Sequence, residues 1–285
     1  MKVIDMRCRP AFLHPFFGAV PGSAEHQAAR WLNRRVGTRG PDHHFERSLT
    51  VDGFLAEVRD AGLHRAVVVG RHTPSQWLPD QQIHDVVTGH PELIGIGAVD
   101  PALQGIEQAL ASVDHALDVL GLAGIDLEPG FAEPARHPDD PLYWPLYEHL
   151  QRRRTPLLLM SGPTTPDPSF NDPARLAAVA RAFPDLTLVV YHGFWPNVQQ
   201  ALGVAFRYPN IHLVPDMYLF LPGSHGYIEA ANSFLADQLL FGSSYPFRPI
   251  RQSIEDAAAM GLADDVLEKF FYRNAERVLG LVTDG

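Results

Sequence analysis

Short apolar strands that alternate with helices predict an α/β fold, a single (β/α)8 TIM barrel. Eight apolar stretches alternate with eight or nine helical patterns, which is typical of a closed parallel barrel. The strand bodies, such as 66–70, are apolar throughout, which indicates burial on both faces of a parallel sheet. An open doubly wound sheet would usually carry a glycine-rich turn after its first strand, whereas residues 7–10 read Arg-Cys-Arg-Pro. We therefore expect residues 1–285 to form one barrel domain.

The composition indicates an ordinary globular protein and excludes several classes. Of the 285 residues, 46% are hydrophobic and 20% are charged, and the formal net charge is −10. An acidic chain lacks the basic face that sequence-independent nucleic-acid binding needs. The single cysteine, Cys8, excludes an internal disulfide and a cysteine-based zinc cluster. No apolar run reaches the roughly 18 residues of a membrane span and no secretory signal is visible, so we expect a cytoplasmic protein without membrane contact.

The predicted elements follow one another along the whole chain. The first strand lies within 2–10 and ends in a polar tip, and the later strands are expected at 66–70, 93–99, 124–128, 156–160, 186–192, 211–216 and 238–242. Helices are expected at about 50–62, 80–89, 105–120, 141–153, 172–183, 196–206, 227–235, 250–260 and 264–281. Thr50 and Asp172 are typical N-cap residues, Pro173 suits a first helical position, and Gly62 suits a helix end.

Residues 11–48 form an unusually long connection between the first strand and the first barrel helix. The segment is rich in Pro, Gly, His and Arg, and a short helix is expected around Trp31, Arg34 and Arg35. Loops of this length are more often functional than idle. The segment therefore either covers one end of the barrel or takes part directly in the chemistry.

Polar side chains concentrate where the predicted strands end, which is where barrels of this kind carry their active sites. Because side chains two apart on a strand share a face, we expect Asp5, Arg7 and Arg9 to point the same way. Two guanidinium groups side by side suit a carboxylate or a phosphate. Arg71 either binds the substrate or pairs with Asp100. Further candidates for substrate binding at the strand tips are Ser161, Trp195, Tyr218, Ser244 and Tyr245.

Three titratable residues at the strand tips are candidates for catalysis. His192 directly follows an apolar strand, and an imidazole there can donate or accept a proton near neutral pH. Glu128 is a base, a metal ligand or the partner of an arginine, and an arginine in reach would lower its pKa and keep it ionised. Asp216 has the same three roles open to it, or it caps the loop after the seventh strand.

Four motifs carry a resemblance to a known family: Val-Ile-Asp at 3–5, Tyr-His-Gly at 191–193, Leu-Phe-Gly-Ser-Ser-Tyr-Pro at 240–246 and Asn-Ala-Glu-Arg at 274–277. With these motifs, the chain resembles the amidohydrolase-related barrel proteins over essentially its whole length. That family includes aminocarboxymuconate semialdehyde decarboxylase, resorcylate decarboxylases and pyrone dicarboxylate lactonase. The resemblance implies a barrel enzyme that acts on a small carboxylated compound.

The family pattern also implies a metal site, but this chain departs from it at nearly every metal position. A His-x-His pair follows the family's opening motif, and Arg7 and Arg9 stand there in this sequence. Zinc needs three or four neutral or anionic ligands, so we expect no metal between two guanidinium groups. They preserve positive charge that could bind an anion or polarise a carbonyl. Among the other family metal positions, His192 matches, whereas the strand-five histidine and the strand-eight aspartate are replaced by Met160 or Ser161 and by Ser244.

The leading hypothesis is a metal-independent hydrolase, without a cofactor, that acts on a lactone or a related carbonyl compound. Arg7 and Arg9 would bind the carboxylate or the developing oxyanion, and His192 would be the general acid or base. Asp216 or Glu128 would orient His192 or activate water. The expected partner is a small anionic substrate, and aromatic loops leave homo-oligomer formation open.

Three alternatives remain at the level of the sequence. The first is decarboxylation of a small unsaturated or aromatic acid, in which His192 protonates the carbanion. The second is a relocated divalent metal held by Glu128, His192 and Asp216, since three strand tips can supply the ligand number that zinc needs. The third is a catalytically degenerate barrel that only binds a ligand.

Overall fold

The computed structural model describes residues 1–281, and its parallel strands form a nearly closed barrel. Seven strands pair in chain order to form the barrel, and two short strands, β3 and β4, form a separate antiparallel hairpin directly after β2. The predicted TIM barrel is confirmed. The strands are β1 (Ile4–Cys8), β2 (Arg65–Val69), β3 (Arg71–Thr73), β4 (Gln76–Leu78), β5 (Leu93–Ala98), β6 (Ile125–Leu127), β7 (Leu157–Met160), β8 (Leu188–Tyr191) and β9 (Ile211–Val214).

The eighth predicted strand, 238–242, does not form a regular ladder in the described part of the chain. One bridge connects Leu213 of β9 with Leu239, and the carbonyl of Phe241 accepts a hydrogen bond from β1 at 3.0 Å. The amide of Phe241 donates to the carbonyl of Phe270, which lies outside the sheet. Because the backbone groups of this segment bond partly to the sheet and partly to residues outside it, the segment closes the barrel through isolated contacts and not through a continuous ladder.

Helices surround the sheet, and the capping predictions are confirmed. The side chain of Thr50 accepts a hydrogen bond at the start of α3, and that of Asp172 does so at the start of α8. Among residues 1–281, no helix combines the length and hydropathy that crossing a membrane requires. The helices are α1 (Ala24–Arg35), α2 (His43–Arg47), α3 (Val51–Asp60), α4 (Asp80–Val87), α5 (Pro101–Gln104), α6 (Ile106–Asp114), α7 (Trp144–Arg153), α8 (Pro173–Ala182), α9 (Val198–Arg207), α10 (His225–Ala231), α11 (Ile250–Ala258), α12 (Asp264–Glu268) and α13 (Asn274–Val278).

Two helices that the pattern predicts as continuous include π-turns. The predicted helix 105–120 consists of α6 followed by a π-turn at His115–Val119. The predicted helix 264–281 consists of α12, a π-turn at Lys269–Arg273 and α13. A π-turn inserts one extra residue into a single helical turn, so an approximate hydrophobic period does not detect it.

The inserted segment 11–48 is fastened across the end of the barrel where the strands terminate. It contains α1, around the residues predicted as helical, and α2, which the sequence did not indicate. Asn33 Nδ2 donates to the Phe247 carbonyl at 2.7 Å, and the Tyr245 hydroxyl donates to the His44 carbonyl at 2.7 Å. These bonds tie the segment to the loop after the last barrel contact.

Strand β1 contains an irregularity that changes which side chains share a face. The register of β1 against β2 shifts between Asp5 and Cys8, where three β1 steps oppose two steps of β2. Met6 packs in the inner core of the barrel, whereas Cys8, two residues later, packs in the outer layer. The alternation of inward and outward side chains therefore changes between these residues. Asp5 accepts hydrogen bonds from its own strand, at Arg7 N, and from Ser243 N. The expectation that Asp5 shares a face with the two arginines was therefore wrong.

Candidate active site

The strand ends surround a cavity of about 260 Å³, which is small for a ligand site. Six of the predicted site residues line it, which are Arg7, Arg9, Arg71, His192, Ser244 and Tyr245. The inserted segment also contributes, through Phe16, Phe17 and Leu32. The remaining wall is formed by Ser75, Gln76, Phe131, Met160, Thr164, Pro166, Met217 and Phe247. The cavity is thus a largely apolar chamber with guanidinium groups and one imidazole in its wall.

His192 and Asp216 form a buried hydrogen-bonded pair at the ends of β8 and β9. His192 Nδ1 lies 2.8 Å from Asp216 Oδ1, and the backbone N–H of His192 donates to Asp216 Oδ2 at 3.2 Å. Asp216 therefore fixes both the ring and the backbone of His192. Because Nδ1 is occupied, Nε2 is the ring nitrogen left for a ligand in the cavity. Burial and the nearby Arg7 lower the pKa of His192, although Asp216 opposes them, so the ring is neutral at pH 7.

Backbone strain is concentrated at this pair and beside it. His192, Asp216 and Ser244 have φ values of 63°, 45° and 58°, in the left-handed region that non-glycine residues rarely adopt. Such conformations persist only where the surrounding structure enforces them, and they cluster at functional sites. All three side chains are at least nine-tenths buried. The surrounding structure therefore holds these three side chains in place at a cost in folding free energy.

Arg7 is a buried cation with few partners. Its side chain packs over the Tyr191 ring at 4.4 Å, and its Nη2 donates to the Met160 thioether at 3.5 Å. Its Nε lies 3.8 Å from Asp216 Oδ2, which is too long for a hydrogen bond. Within residues 1–281, Arg7 Nη1 has no hydrogen-bond partner. The group is therefore able to accept an anion beside His192.

Arg9 lies in a different environment, because it is held by several acceptors. Its Nη2 lies 2.8 Å from Glu128 Oε1 and 3.0 Å from Asp126 Oδ2. Its Nη2 and Nε also donate to the carbonyls of Gly70 and Val69 at 2.7 and 3.2 Å. Arg9 thus links the ends of β2 and β6, and one of its terminal nitrogens, Nη1, lacks a hydrogen-bond partner in the described chain.

Arg71 extends this ion-pair network to the β3–β4 hairpin. Its Nη2 lies 2.6 Å from Glu128 Oε2, and its Nη1 donates to Gln76 Oε1 at 2.5 Å. The guanidinium also lies over the Phe131 ring at 4.7 Å. The sequence left open whether Arg71 binds the substrate or pairs with Asp100. In the structure Arg71 pairs with Glu128 instead of Asp100, and it lines the cavity.

The pKa values of the Glu128 and Asp126 carboxyls, at the end of β6, are shifted in opposite directions. Burial acts to raise the pKa of Glu128, but Arg71, Arg9 and Arg7 outweigh it and lower that pKa. Burial raises the pKa of Asp126, and the neighbouring Glu128 adds to the rise although Arg9 opposes it. The raised pKa of Asp126 favours its neutral form, in which the three arginines face two carboxylates, Glu128 and Asp216. The excess of positive charge in that form favours binding of an anion in the cavity.

Three predicted residues lie behind the cavity wall. The Ser161 hydroxyl donates to the Tyr191 carbonyl at 2.6 Å and accepts from Phe194 N at 2.9 Å. Tyr218 packs edge-on against His192 at 4.8 Å, and Trp195 stacks on Tyr218 at 5.2 Å. These contacts support the His192 loop, and none of the three residues is among those that line the cavity.

Sequence reasoning missed Asp126 and Gln76. Asp126 lies two residues before Glu128 and therefore on the same strand face, so a second acidic residue within an otherwise apolar strand was the available signal. Gln76 belongs to a hairpin of two three-residue strands, which has no clear hydrophobic pattern. Its contact with Arg71 was not detectable from the sequence.

The residues of the cavity do not fit a divalent cation. Among residues 1–281, no group of three or more His, Cys, Asp and Glu side chains is placed to hold a metal. Glu128 is already paired with two arginines, and His192 Nδ1 is bound to Asp216. The three residues of the relocated metal site are therefore divided between two separate clusters.

The comparisons with known proteins agree with the motif pattern. The chain matches the amidohydrolase family model (Amidohydro_2) over residues 4–281. A search of the curated proteins finds no match. Among solved structures, an uncharacterized TIM-barrel protein from Bordetella bronchiseptica is 34% identical, with a TM-score of 0.89 over 98% of this chain and 99% of that chain.

Two characterised enzymes share the fold at lower identity. A dihydroxybenzoic acid decarboxylase from Polaromonas sp. JS666, with bound manganese and the inhibitor 2-nitroresorcinol, is 16% identical, with a TM-score of 0.69 over 98% of this chain and 97% of that chain. A 4-oxalomesaconate hydratase from Rhodopseudomonas palustris is 16% identical, with a TM-score of 0.67 over 98% and 95%. Because the family model spans nearly the whole sequence, this chain belongs to the amidohydrolase family.

Proposed function

We propose that this protein is a metal-independent hydrolase that opens a small carboxylated lactone or a related carbonyl compound. The observation that carries the proposal is the position of Arg7. Its buried guanidinium, with a thioether as its hydrogen-bond acceptor, lies in the same cavity wall as the His192–Asp216 pair. A neutral imidazole beside an under-partnered cation suits a reaction in which a base activates water and negative charge develops nearby.

In the proposed mechanism, His192 Nε2 removes a proton from a water molecule while the water oxygen attacks the carbonyl carbon. Arg7 donates hydrogen bonds to the resulting oxyanion. When the intermediate collapses, the carbon–oxygen bond of the ester breaks, and the proton on Nε2 passes to the leaving oxygen. Asp216 holds the ring in the required tautomer and stabilises the imidazolium. Arg71 and the open nitrogen of Arg9 bind the carboxylate of the substrate.

Decarboxylation is the second candidate, and the apolar wall of the cavity favours it. Phe16, Phe131, Met160, Met217 and Phe247 line the chamber, and apolar surroundings favour conversion of a carboxylate into neutral carbon dioxide. Structural neighbours with this fold include a dihydroxybenzoic acid decarboxylase and a 4-oxalomesaconate hydratase, so the fold accommodates lyase chemistry. In this reaction, His192 would have to deliver a proton to carbon.

The test is a screen of lactones and of aromatic and unsaturated carboxylic acids with chelator present, using protein whose metal content has been measured by mass spectrometry. Hydrolysis in H₂¹⁸O places one labelled oxygen in the product carboxylate, whereas decarboxylation releases carbon dioxide and places no labelled oxygen in the organic product. Turnover that the chelator leaves unchanged supports the proposal. Turnover that follows the metal content overturns metal independence, and ligand binding without turnover supports the degenerate barrel.

A further inference from the structure

A second cavity of about 270 Å³ lies outside the barrel, next to the β3–β4 hairpin. It is as large as the candidate active site, although it shares no lining residue with it. Polar and aromatic side chains from the hairpin, α4, α5, α6 and the following π-turn surround it. The lining residues are His72, Trp77, Asp80, Gln81, Ala98, Gln104, Gln108, Ala111, Ser112, His115 and Leu120.

The hairpin separates the two cavities and presents a different face to each. His72 of β3 pairs with Trp77 of β4, and their neighbours Arg71 and Gln76 alternate to the opposite face. Arg71 and Gln76 line the candidate active site, whereas His72 and Trp77 line the second cavity. The sheet pairing therefore builds both sites from adjacent residues of one short element.

An aromatic platform forms one wall of the second cavity. The rings of His72 and Trp77 stack at 5.6 Å with an interplanar angle of 23°. The Trp77 side chain is nevertheless 60% exposed, although exposure of a tryptophan to water is unfavourable. Because one face of the indole is supported by His72 and the other is open, a flat ring can stack on it.

Groups that donate and accept hydrogen bonds stand around this platform. The exposed side chains of Gln108 and His115 line the cavity, and His115 is close enough to Asp80 to lower the pKa of its carboxyl, against the effect of burial. Asp80 Oδ1 accepts from Ala98 N at 2.8 Å, which leaves Oδ2 as an acceptor. Gly97 makes room for this carboxylate, because an added Cβ would lie 3.2 Å from Asp80 Cγ. The π-turn that starts at His115 is a feature that often marks functional sites.

The charge of the lining defines the class of ligand. In the described chain, no lysine or arginine side chain lines the second cavity, and Asp80 is its one carboxylate. A phosphate or carboxylate group would find no cation there. A planar ring with adjacent donors and acceptors would use the platform, the Gln108 amide, the His115 ring and Asp80 together. We propose that this cavity is a second binding site, for an uncharged nucleobase-like heteroaromatic ring without a phosphate group.

A ligand in this site would act on the candidate active site through the hairpin. It would restrict Trp77 and His72, and their strand neighbours Gln76 and Arg71 hold one side of the first cavity. Any change in the affinity of the first site for an anion must be matched by an equal change in the affinity of the second site for its ligand. The binding proposal does not depend on the reaction assigned to the first cavity.

The experiment is a titration of the full chain with adenine, adenosine, uracil and AMP, followed by tryptophan fluorescence and by calorimetry. We expect saturable binding of at least one unphosphorylated probe, with quenching that Trp77→Phe abolishes. Gln108→Ala should weaken binding roughly threefold to tenfold through loss of hydrogen bonds. Trp144→Phe, at another exposed tryptophan, is the matched control and should bind like the unmodified protein.

Three results would overturn the proposal. They are the absence of saturable binding by all four probes at millimolar concentration, quenching that persists in Trp77→Phe, and tighter binding of AMP than of adenosine. Circular dichroism of each variant confirms that it is folded. Hydrolase assays of the same variants separate this result from that of the first site, because a failure of either proposal leaves the other readout unaffected.

Discussion

Arg7 and Arg9 lie two residues apart at the end of β1, line the same cavity and are almost equally buried, at 5% and 3% exposure. Their surroundings nevertheless differ. Arg9 contacts two carboxylates and two carbonyls, whereas the hydrogen-bond acceptor of Arg7 is a thioether. One half of the site is therefore a network of close ion pairs, and the other half is a cation whose one carboxylate neighbour, Asp216, lies 3.8 Å away beside a hydrogen-bonded imidazole.

The different surroundings of the two arginines indicate which of them stabilises the fold and which is available to a substrate. Burying a charge with few partners lowers the stability of the folded state. Such a group is therefore expected where function, and not stability, requires it. Arg9 is explained by the stability of the joined ends of β2 and β6. Arg7 has no such explanation, because its retained contacts do not offset its burial. The Arg7 half, with His192 and Asp216, is therefore where we expect substrate chemistry.

The largest expected effect is on the Arg7 half, from His192→Asn. Asparagine tolerates the φ of 63° at this position, so the variant removes the imidazole and keeps the backbone. We expect kcat to fall roughly 10²–10⁴-fold, as for loss of a general base, with ligand affinity changed little. Steady-state kinetics and equilibrium binding measure the two quantities. Activity within tenfold of the unmodified protein would show that His192 is not the base.

The next largest effect is on the Arg9 half and concerns stability. Arg9→Met leaves Asp126 without its cation and Glu128 paired with Arg71 alone, and breaking a buried ion pair costs about 3–5 kcal/mol. We therefore expect the free energy of unfolding in urea at pH 7 to fall by that amount. An unfolding midpoint equal to that of the unmodified protein would contradict the structural role assigned to Arg9.

Arg7→Met is the matched substitution on the other half. Because Arg7 has few partners, we expect the free energy of unfolding to stay within about 1 kcal/mol or to rise. Affinity for a carboxylate probe should fall roughly 10- to 100-fold, through loss of charged hydrogen bonds. Urea unfolding and calorimetry with benzoate measure the pair. A large loss of stability without a change in affinity would reverse the roles of the two arginines.

Much of the barrel was predictable from the sequence, because strands buried on both faces are apolar throughout and strand ends in a barrel meet at one edge. That argument placed Arg7, Arg9, Arg71 and His192 in one cavity. It did not separate Arg7 from Arg9, since the register shift of β1 and the partners on β6 and β9 depend on tertiary packing. The same limit concealed the raised pKa of Asp126, which arises from burial next to Glu128.

The smallest effect is a displacement of the pH profile, and it tests whether the two halves are electrostatically connected. Burial and Arg7 lower the pKa of His192, and Asp216 opposes them. A base must be unprotonated, so kcat/KM should be level near pH 7 and fall only below the ordinary histidine pKa of about 6.5.

Removing the arginine should shift that acid limb in a defined direction. Arg7 lowers the pKa of His192, so Arg7→Met should raise it and move the limb to higher pH, whereas Asp216→Asn removes a group that raises the pKa and should move the limb to lower pH. Arg9 also lowers the pKa of His192, but less strongly than Arg7 does. Arg9→Met should therefore displace the acid limb less than Arg7→Met. An acid limb that moves equally in both arginine variants would mean that the two halves form one electrostatic unit, and the division between a structural and a reactive arginine would then fail.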